Sequence, residues 1–206
     1  MLLFGHTGIT VGIVRACDIL MARVSTNIES SPGSRISVTV QRKSIPLRCS
    51  LARIKNRLGS IDYRWVLLGS LLPDIIDKPI WLFISGGLWP AGRAWGHTLL
   101  FNLLLFVFGL ILFKYRKPCL LVISLSSFIH LVLDQMWKNM ITLFWPLFGQ
   151  FRSVGTTGWM SDITHSLFLE PATYIPEIIG LAVILFLGYR LLVNEGITDF
   201  IKRGHL

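Results

Sequence analysis

Long apolar stretches separated by short polar connections dominate the chain. Residues 99–113 contain no charged side chain, and residues 118–133 contain no Asp, Glu, Lys or Arg. Residues 178–189 form a third apolar stretch, which residues 171–177 extend backwards. Because a membrane-spanning helix needs about 20 mostly apolar residues, each stretch with its flanks predicts one span.

Two further apolar stretches, residues 1–21 and 65–85, contain ionisable residues but also predict spans. The first lacks the basic start of a signal peptide, so a retained helix is favoured over cleavage. Residues 140–148 are too short to span and are expected to lie at the interface or to re-enter the membrane. The pattern therefore predicts an all-α bundle of about five transmembrane helices, with residues 1–206 forming a single integral membrane domain.

The composition agrees with a membrane protein. Hydrophobic residues make up 52% of the chain and charged residues only 15%, whereas soluble domains carry about 25% charged residues. This excludes an ordinary soluble enzyme and a disordered chain. The three cysteines are scattered, and their spacing fits neither a disulfide framework nor a zinc-binding CxxC pair.

The net charge of +9 is concentrated in a few connections. Residues 22–64 hold nine Lys or Arg against two acids and read as a basic, partly flexible linker, and further basic clusters lie at 114–117 and 190–203. The positive-inside rule places these segments in the cytoplasm, so the N-terminus is predicted outside and the C-terminus inside. The linker is expected to face anionic lipid. No specific nucleic-acid binding is predicted, because no aromatic platform accompanies the charges.

Six ionisable residues lie in or beside the apolar stretches, and all are of types that bind divalent metals: His6, Asp74, Asp77, His97, His130 and Asp134. A charge inside a bilayer is costly and usually faces a partner or a wet cavity. The i, i+4 spacing of His130 and Asp134 puts both on one helix face. In the predicted topology all six residues fall in the outer half of the membrane, which favours a common site.

Structural explanations exist for single residues. His6 alone fits a hydrogen bond between helices better than a metal ligand. Asp77 is equally suited to an ion pair with Lys78 or Arg93, and Asp134 to an ion pair with Lys138, although that pair leaves His130 unexplained. His165 is either an additional ligand or a solvated loop residue.

The ordered motifs resemble the YdjM family of small membrane proteins, which are described as metal-dependent hydrolases. The resemblance rests on five segments: FGHTG at 4–8, LGSLLPDIID at 68–77, GHTL at 96–99, FIHLVLD at 128–134 and LFWP at 143–146. The family in turn is similar to the all-α superfamily of zinc-dependent phospholipase C and single-strand nucleases. That similarity implies a cluster of one to three divalent ions, with zinc favoured.

The resemblance also implies a role for each candidate residue. His6, Asp74, His97, His130 and Asp134 would be the metal ligands, and Asp77 occupies the family's second acidic position. Asp77 is then the candidate catalytic base, and Arg93, near the outer rim, is the candidate group for holding a phosphate. We therefore expect a membrane-embedded hydrolase that cleaves a phosphoester of a lipid or lipid-linked substrate through metal-activated water.

Two non-enzymatic functions remain open. In a transporter, acids and histidines would carry ions or protons through the bundle, but the inner halves of the last three predicted spans contain no such residues. In a structural anchor, the basic linker at 22–64 would recruit a partner. Deletion of residues 25–50 would separate an anchor from a hydrolase, because hydrolysis should survive the deletion and recruitment should not.

Overall fold

The computed structural model describes residues 3–29, 61–84, 92–151, 164–165, 167–194 and 196–206, and the regular elements in these ranges are helical. The α-helices are α1 (Leu3–Glu29), α2 (Tyr63–Pro79), α3 (Leu99–Lys114), α4 (Cys119–Leu133), α5 (Met140–Leu143), α6 (Pro171–Val193) and α7 (Ile197–Arg203). A π-helical turn, Ile80–Ile84, continues α2, and a 3₁₀ turn, Met136–Lys138, precedes α5. The predicted all-α class is confirmed for these residues.

In the part of the chain that the structure describes, two helices are long and apolar enough to cross a membrane: the Leu3–Arg23 part of α1, and α6. The helices α3 and α4 are apolar but shorter, so the count of five spans stays a prediction. The predicted linker boundaries shift, because α1 continues past residue 21 and α2 begins before residue 65. Most of the linker, residues 30–60, lies outside the described residues.

Helices α2 and α4 form the centre of the bundle. The α2 helix packs on α1 and α4, α4 also packs on α3, and α6 packs on the other side of α1. A small apolar cluster of Val11, Tyr63 and Val66 joins α1 to α2.

The interior of the bundle is rich in small polar side chains, while large apolar side chains face outward. The serines of α4, such as Ser126 and Ser127, are buried, as is Ser70 of α2. By contrast, Leu185 and Phe186 of α6 are 62% and 60% exposed. Small residues allow membrane helices to approach closely, and a lipid environment favours apolar side chains on the outside. The arrangement is that of a bundle surrounded by an apolar solvent.

The crossing of α1 and α6 depends on two glycines. A Cβ placed on Gly8 would collide with the backbone of Gly180, and one placed on Gly180 would collide with the backbone around Phe4. The two helices can reach this distance only because neither glycine has a side chain at the contact. The crossing involves residues 4, 5 and 8 of α1, which flank His6, and therefore sets the position of that residue.

The C-terminal segment folds back onto the start of α2. Gly204 accepts a hydrogen bond from the Tyr63 N–H (2.8 Å), and Arg64 donates from Nη1 to the Ile201 carbonyl (2.9 Å). Asp62 caps α2 by accepting from the Arg64 N–H (3.0 Å), and its side-chain bond with the Arg64 guanidinium lowers the pKa of Asp62. The start of α2 and the C-terminus therefore lie at the same end of the bundle.

Substitution of Gly180 by Ala should destabilise the protein by about 1–3 kcal/mol, because the added methyl group forces α1 away from α6. Thermal unfolding of the detergent-solubilised protein, followed by circular dichroism, measures the effect. Gly188→Ala is the matched control on the same helix, since a Cβ there meets nothing within 4 Å. Equal unfolding midpoints for the two variants would contradict the close crossing.

Candidate metal centre

All five residues that the sequence predicts as ligands converge on one point of the bundle. Potential ligand atoms of His6, Asp74 and His130 lie within 4.8 Å of one another, and so do those of His97, His130 and Asp134. The three histidine side chains are at most 1% exposed. Four parts of the chain contribute: α1, α2, the turn before α3, and α4 with its C-terminal cap.

The carboxylate of Asp77 holds the imidazole of His97. Asp77 Oδ2 lies 2.7 Å from His97 Nδ1. The same carboxylate accepts backbone N–H bonds from Ala94 (2.7 Å), Gly96 (2.8 Å) and His97 (3.3 Å). An ionised carboxylate only accepts hydrogen bonds, so this network assigns the proton of His97 to Nδ1. The opposite ring nitrogen of His97, Nε2, therefore points into the cluster.

A backbone carbonyl holds His130 in the same way. His130 Nδ1 lies 2.6 Å from the Ser70 carbonyl oxygen, which can only accept a hydrogen bond. The proton of His130 is thus also on Nδ1. This bond forms in the turn of α2 that contains Pro73, a residue that interrupts the regular helical hydrogen bonding. Carbonyl and carboxylate partners of this kind are the usual orienting groups behind metal-bound histidines.

The two oriented imidazoles face each other. His97 Nε2 and His130 Nε2 are 3.3 Å apart. If both rings are neutral with their protons on Nδ1, two lone pairs meet in a buried space, which is unfavourable unless a cation or a proton lies between them. The donor set therefore fits a bound metal ion.

The Asp74 carboxylate and the two imidazoles form a triangle of potential ligand atoms whose size suits a metal ion. Asp74 Oδ1 lies 3.6 Å from His97 Nε2 and 4.0 Å from His130 Nε2. Tetrahedral zinc with bonds of about 2.1 Å separates its ligand atoms by about 3.4 Å. The observed triangle, with edges of 3.3, 3.6 and 4.0 Å, needs only small side-chain shifts to accommodate such an ion.

Asp134 borders the cluster on the side of Arg93. Arg93 donates from Nε to Asp134 Oδ2 (2.6 Å) and from Nη2 to Asp134 Oδ1 (3.0 Å). Asp134 Oδ2 also lies 3.8 Å from His97 Nε2, and Asp134 Oδ1 lies 3.5 Å from His6 Nε2. The carboxylate is thus placed between an arginine and two histidines. It can serve as a ligand while Arg93 balances its charge.

His6 stacks on His130, with ring centroids 3.9 Å apart. Its Nδ1 is buried and has no hydrogen-bond partner among the described residues. A buried nitrogen without a partner is costly, so His6 retains an unused coordinating atom beside the cluster. This is the second feature of the site that fits a metal better than a purely structural network.

Glu177, which is absent from the residues predicted from the sequence, is buried in α6 beside the start of α1. Its Oε2 accepts the N–H of Phe4 at 3.0 Å. A carboxylate at a helix N-terminus satisfies a free N–H group and interacts favourably with the helix dipole. Glu177 therefore helps to fix the helix that carries His6. An ionisable residue inside an apolar stretch was the signal that could have found it.

The turn that carries His97 needs a close approach to α2. A Cβ on Gly96 would lie 2.8 Å from the Pro73 carbonyl oxygen, so this position requires glycine. Buried Asn102 of α3 donates to the Thr98 carbonyl (3.2 Å) and secures the turn. Asn102 thus supports the turn that carries His97. It was not predicted from the sequence, because an amide is not a common metal ligand.

A cavity of about 280 Å³ opens next to the cluster. It is lined by Arg93, Asp134, Lys138, Glu170 and Thr173, among others. Since Asp134 belongs to both the cluster and the cavity wall, the cavity is a route by which a small polar group can reach the centre.

The ion pairs in the structure differ from those that the sequence suggests for Asp77 and Asp134. Lys78 pairs with Asp74 (2.7 Å) rather than Asp77. Asp134 pairs with Arg93. His165 is exposed and belongs to neither ligand group.

Fold and site together define an all-helical protein with a buried His/Asp cluster suited to a divalent ion. The family model described as YdjM inner membrane protein matches residues 45–197. The chain therefore belongs to the YdjM family, as its motifs predict. No curated protein and no solved structure shows significant similarity to the chain.

Replacing Glu177 by Ala should destabilise the protein by about 1–3 kcal/mol, because the Phe4 N–H loses its buried acceptor. Glu177→Gln retains an acceptor oxygen and should recover part of the loss. Glu170→Ala, at the exposed start of the same helix, is the control. Thermal unfolding in detergent distinguishes them, and an effect of Glu170→Ala as large as that of Glu177→Ala would argue against the contact.

Proposed function

We propose that this protein is a membrane-embedded, metal-dependent hydrolase. The observation that carries the proposal is the 3.3 Å approach of His97 Nε2 to His130 Nε2, with Asp74 beside them. Nitrogen and carboxylate ligands together favour zinc, although the same donors also bind manganese or iron. Membership of an inner membrane family supports the location. The finer topology proposed is five spans, with the N-terminus outside and the C-terminus in the cytoplasm.

Each residue of the centre has a defined part in this function. His97, His130, Asp74 and Asp134 would hold the first ion, and His6 would complete its shell or bind a second one. A divalent ion in this position supplies Lewis-acid polarisation and a water whose pKa is near neutral, which are the requirements of phosphoester hydrolysis. The protein supplies a dry pocket and fixed ligand directions.

The contacts of Asp77 favour a role different from that of a catalytic base. Both of its oxygens accept backbone hydrogen bonds, and Oδ2 also binds His97 Nδ1. A base must reach the reacting water, whereas Asp77 faces away from the cluster behind His97. We therefore assign Asp77 the role of orienting the His97 ring.

The guanidinium of Arg93 has one nitrogen outside its pair with Asp134, which we assign to the substrate. Nε and Nη2 bind Asp134, which leaves Nη1 outside this pair. The Arg93 side chain is 44% exposed and lines the cavity beside the centre. A phosphate in that cavity would meet Nη1 on one side and the metal centre on the other. A lipid or lipid-linked phosphoester is the substrate that fits a centre inside a membrane bundle.

Metal analysis of the detergent-purified protein is the direct test of the centre. Elemental mass spectrometry should find at least one zinc or similar ion per chain, and the His130→Ala and Asp134→Ala variants should lose it. His205→Ala, a tail residue far along the chain from every ligand, is the control and should retain the metal. Absence of stoichiometric metal in the parent protein, with unchanged stability in both ligand variants, would refute the proposal.

Hydrolysis itself needs a separate assay. Metal-loaded protein in phospholipid vesicles should release phosphate or a headgroup from a phosphoester lipid, and chelation followed by zinc addition should remove and restore this activity. If the protein binds metal stoichiometrically but cleaves none of the phosphoester lipids supplied, the result supports the metal site and refutes the hydrolase function.

The Asp77→Asn variant tests the orienting role. Asparagine can donate as well as accept a hydrogen bond, so the proton of His97 is no longer held on Nδ1, and metal affinity should fall about 10–100-fold. Competition with a fluorescent chelator measures this affinity. Unchanged affinity combined with lost activity would instead support Asp77 as the base.

A further inference from the structure

A second cavity, of about 240 Å³, lies at the end of the bundle opposite the metal centre. Its polar wall consists of Arg15 of α1, Arg190 and Asn194 at the end of α6, and Asp199 and His205. Arg15 follows His6 by nine residues, which corresponds to about 13 Å along the helix, and Arg190 follows Glu177 by thirteen, about 20 Å. The cavity is therefore separate from the proposed catalytic site and needs an explanation of its own.

The cavity has a defined wall and is not simply a gap between helix ends. Its apolar wall consists of Leu187 and Leu191 from α6 together with Leu206 from the C-terminal segment. That segment is held in place by the bond between the Tyr63 N–H and the Gly204 carbonyl (2.8 Å). Three separate parts of the chain thus line one space that has both charged side chains and leucines in its wall.

The charges around the cavity leave a surplus on Arg190. Arg15 faces Asp18 (3.6 Å). Asp199 faces Arg203 (3.4 Å) and His205 (3.5 Å). Among the described residues, these carboxylates form no ion pair with Arg190. An arginine in this situation, beside a second arginine, is a suitable binding group for a phosphate oxygen pair.

We propose that this cavity binds the phosphate group of an anionic phospholipid. Arg190 and Arg15 would hold the phosphate, while the leucine wall would contact the glycerol and the first acyl carbons. The outward side of α6 continues this apolar surface, since Tyr189 and Leu192 are 65% and 64% exposed. Basic pockets between membrane helices are common binding places for anionic headgroups. A soluble phosphate offers nothing to the leucine wall, so a lipid is the better occupant.

The location agrees with the charge pattern of the chain. The cavity lies at the end of the bundle where Arg64 and Lys202 also meet, because the Arg64 side chain donates to the Ile201 carbonyl (2.9 Å). The positive-inside rule assigns this end to the cytoplasm. The proposed ligand therefore belongs to the leaflet opposite the metal centre, and its binding does not depend on hydrolase activity.

Native mass spectrometry of the full-length, detergent-solubilised protein provides the test. Phosphatidylglycerol, phosphatidylcholine and inorganic phosphate are titrated separately onto the parent protein, Arg190→Gln and Arg190→Lys. The parent should bind phosphatidylglycerol more tightly than either other ligand. Arg190→Gln should weaken that binding about tenfold, as expected for one lost charge-assisted hydrogen bond, and Arg190→Lys should recover part of it.

Lys117→Gln is the matched control, because it removes one positive charge from an exposed position that does not line the cavity. It should bind phosphatidylglycerol as the parent does, and the metal content of all variants should stay unchanged. The proposal is overturned if Arg190→Gln binds the lipid as tightly as Lys117→Gln does. It is also overturned if phosphatidylcholine or inorganic phosphate binds the parent as well as phosphatidylglycerol does.

Discussion

The facing imidazole nitrogens of His97 and His130 are the constraint on which the rest of the bundle depends. Two buried lone pairs 3.3 Å apart are tolerated only if something favourable stands between them and if both rings are held from behind. Asp77 and the Ser70 carbonyl hold the rings. Pro73 lies in the same turn of α2 as that carbonyl, so the backbone of α2 contributes directly to the site.

The same constraint explains why the interior is polar and the exterior apolar. Soluble proteins bury their large apolar side chains, but here the buried groups are largely histidines, carboxylates and small hydroxyl residues. Such an interior gains little from the hydrophobic effect, so close helix contact has to supply the stability. The glycine crossing of α1 and α6 is where that contact is tightest, and its residues flank His6.

The convergence of the candidate ligands could be predicted from the sequence, because ionisable residues are rare in apolar stretches and are therefore informative. The spacing of His130 and Asp134 places them on one helix face. The motifs around His6, Asp74 and His97 carry the resemblance to the family. The all-α class followed from the apolar stretches. The count of spans did not follow as firmly, because α3 and α4 are shorter than a full membrane crossing, and apolar composition alone does not reveal where a helix ends.

The partners of the ligands could not be predicted, because they depend on tertiary contacts. Spacing alone does not distinguish the partner of Asp74, which pairs with Lys78, from that of Asp77, which binds His97. Spacing allows both acids to face the site, and only the turn at 94–97, wrapped around the Asp77 carboxylate, separates their roles. Glu177 was missed for a related reason, since its partner is a backbone N–H of a distant helix.

The two ends of the bundle are suited to ligands of opposite charge. At one end, carboxylates and histidines gather in a buried space, an arrangement that a divalent cation would stabilise. At the other end, arginines from α1 and α6 line a cavity open to an apolar surface, which an anion with an attached hydrocarbon chain satisfies. Because α1 and α6 carry residues of both ends and are locked together at Gly8 and Gly180, neither end can shift without moving the other. An anionic lipid held at Arg190 would thus favour the same helix crossing that positions His6.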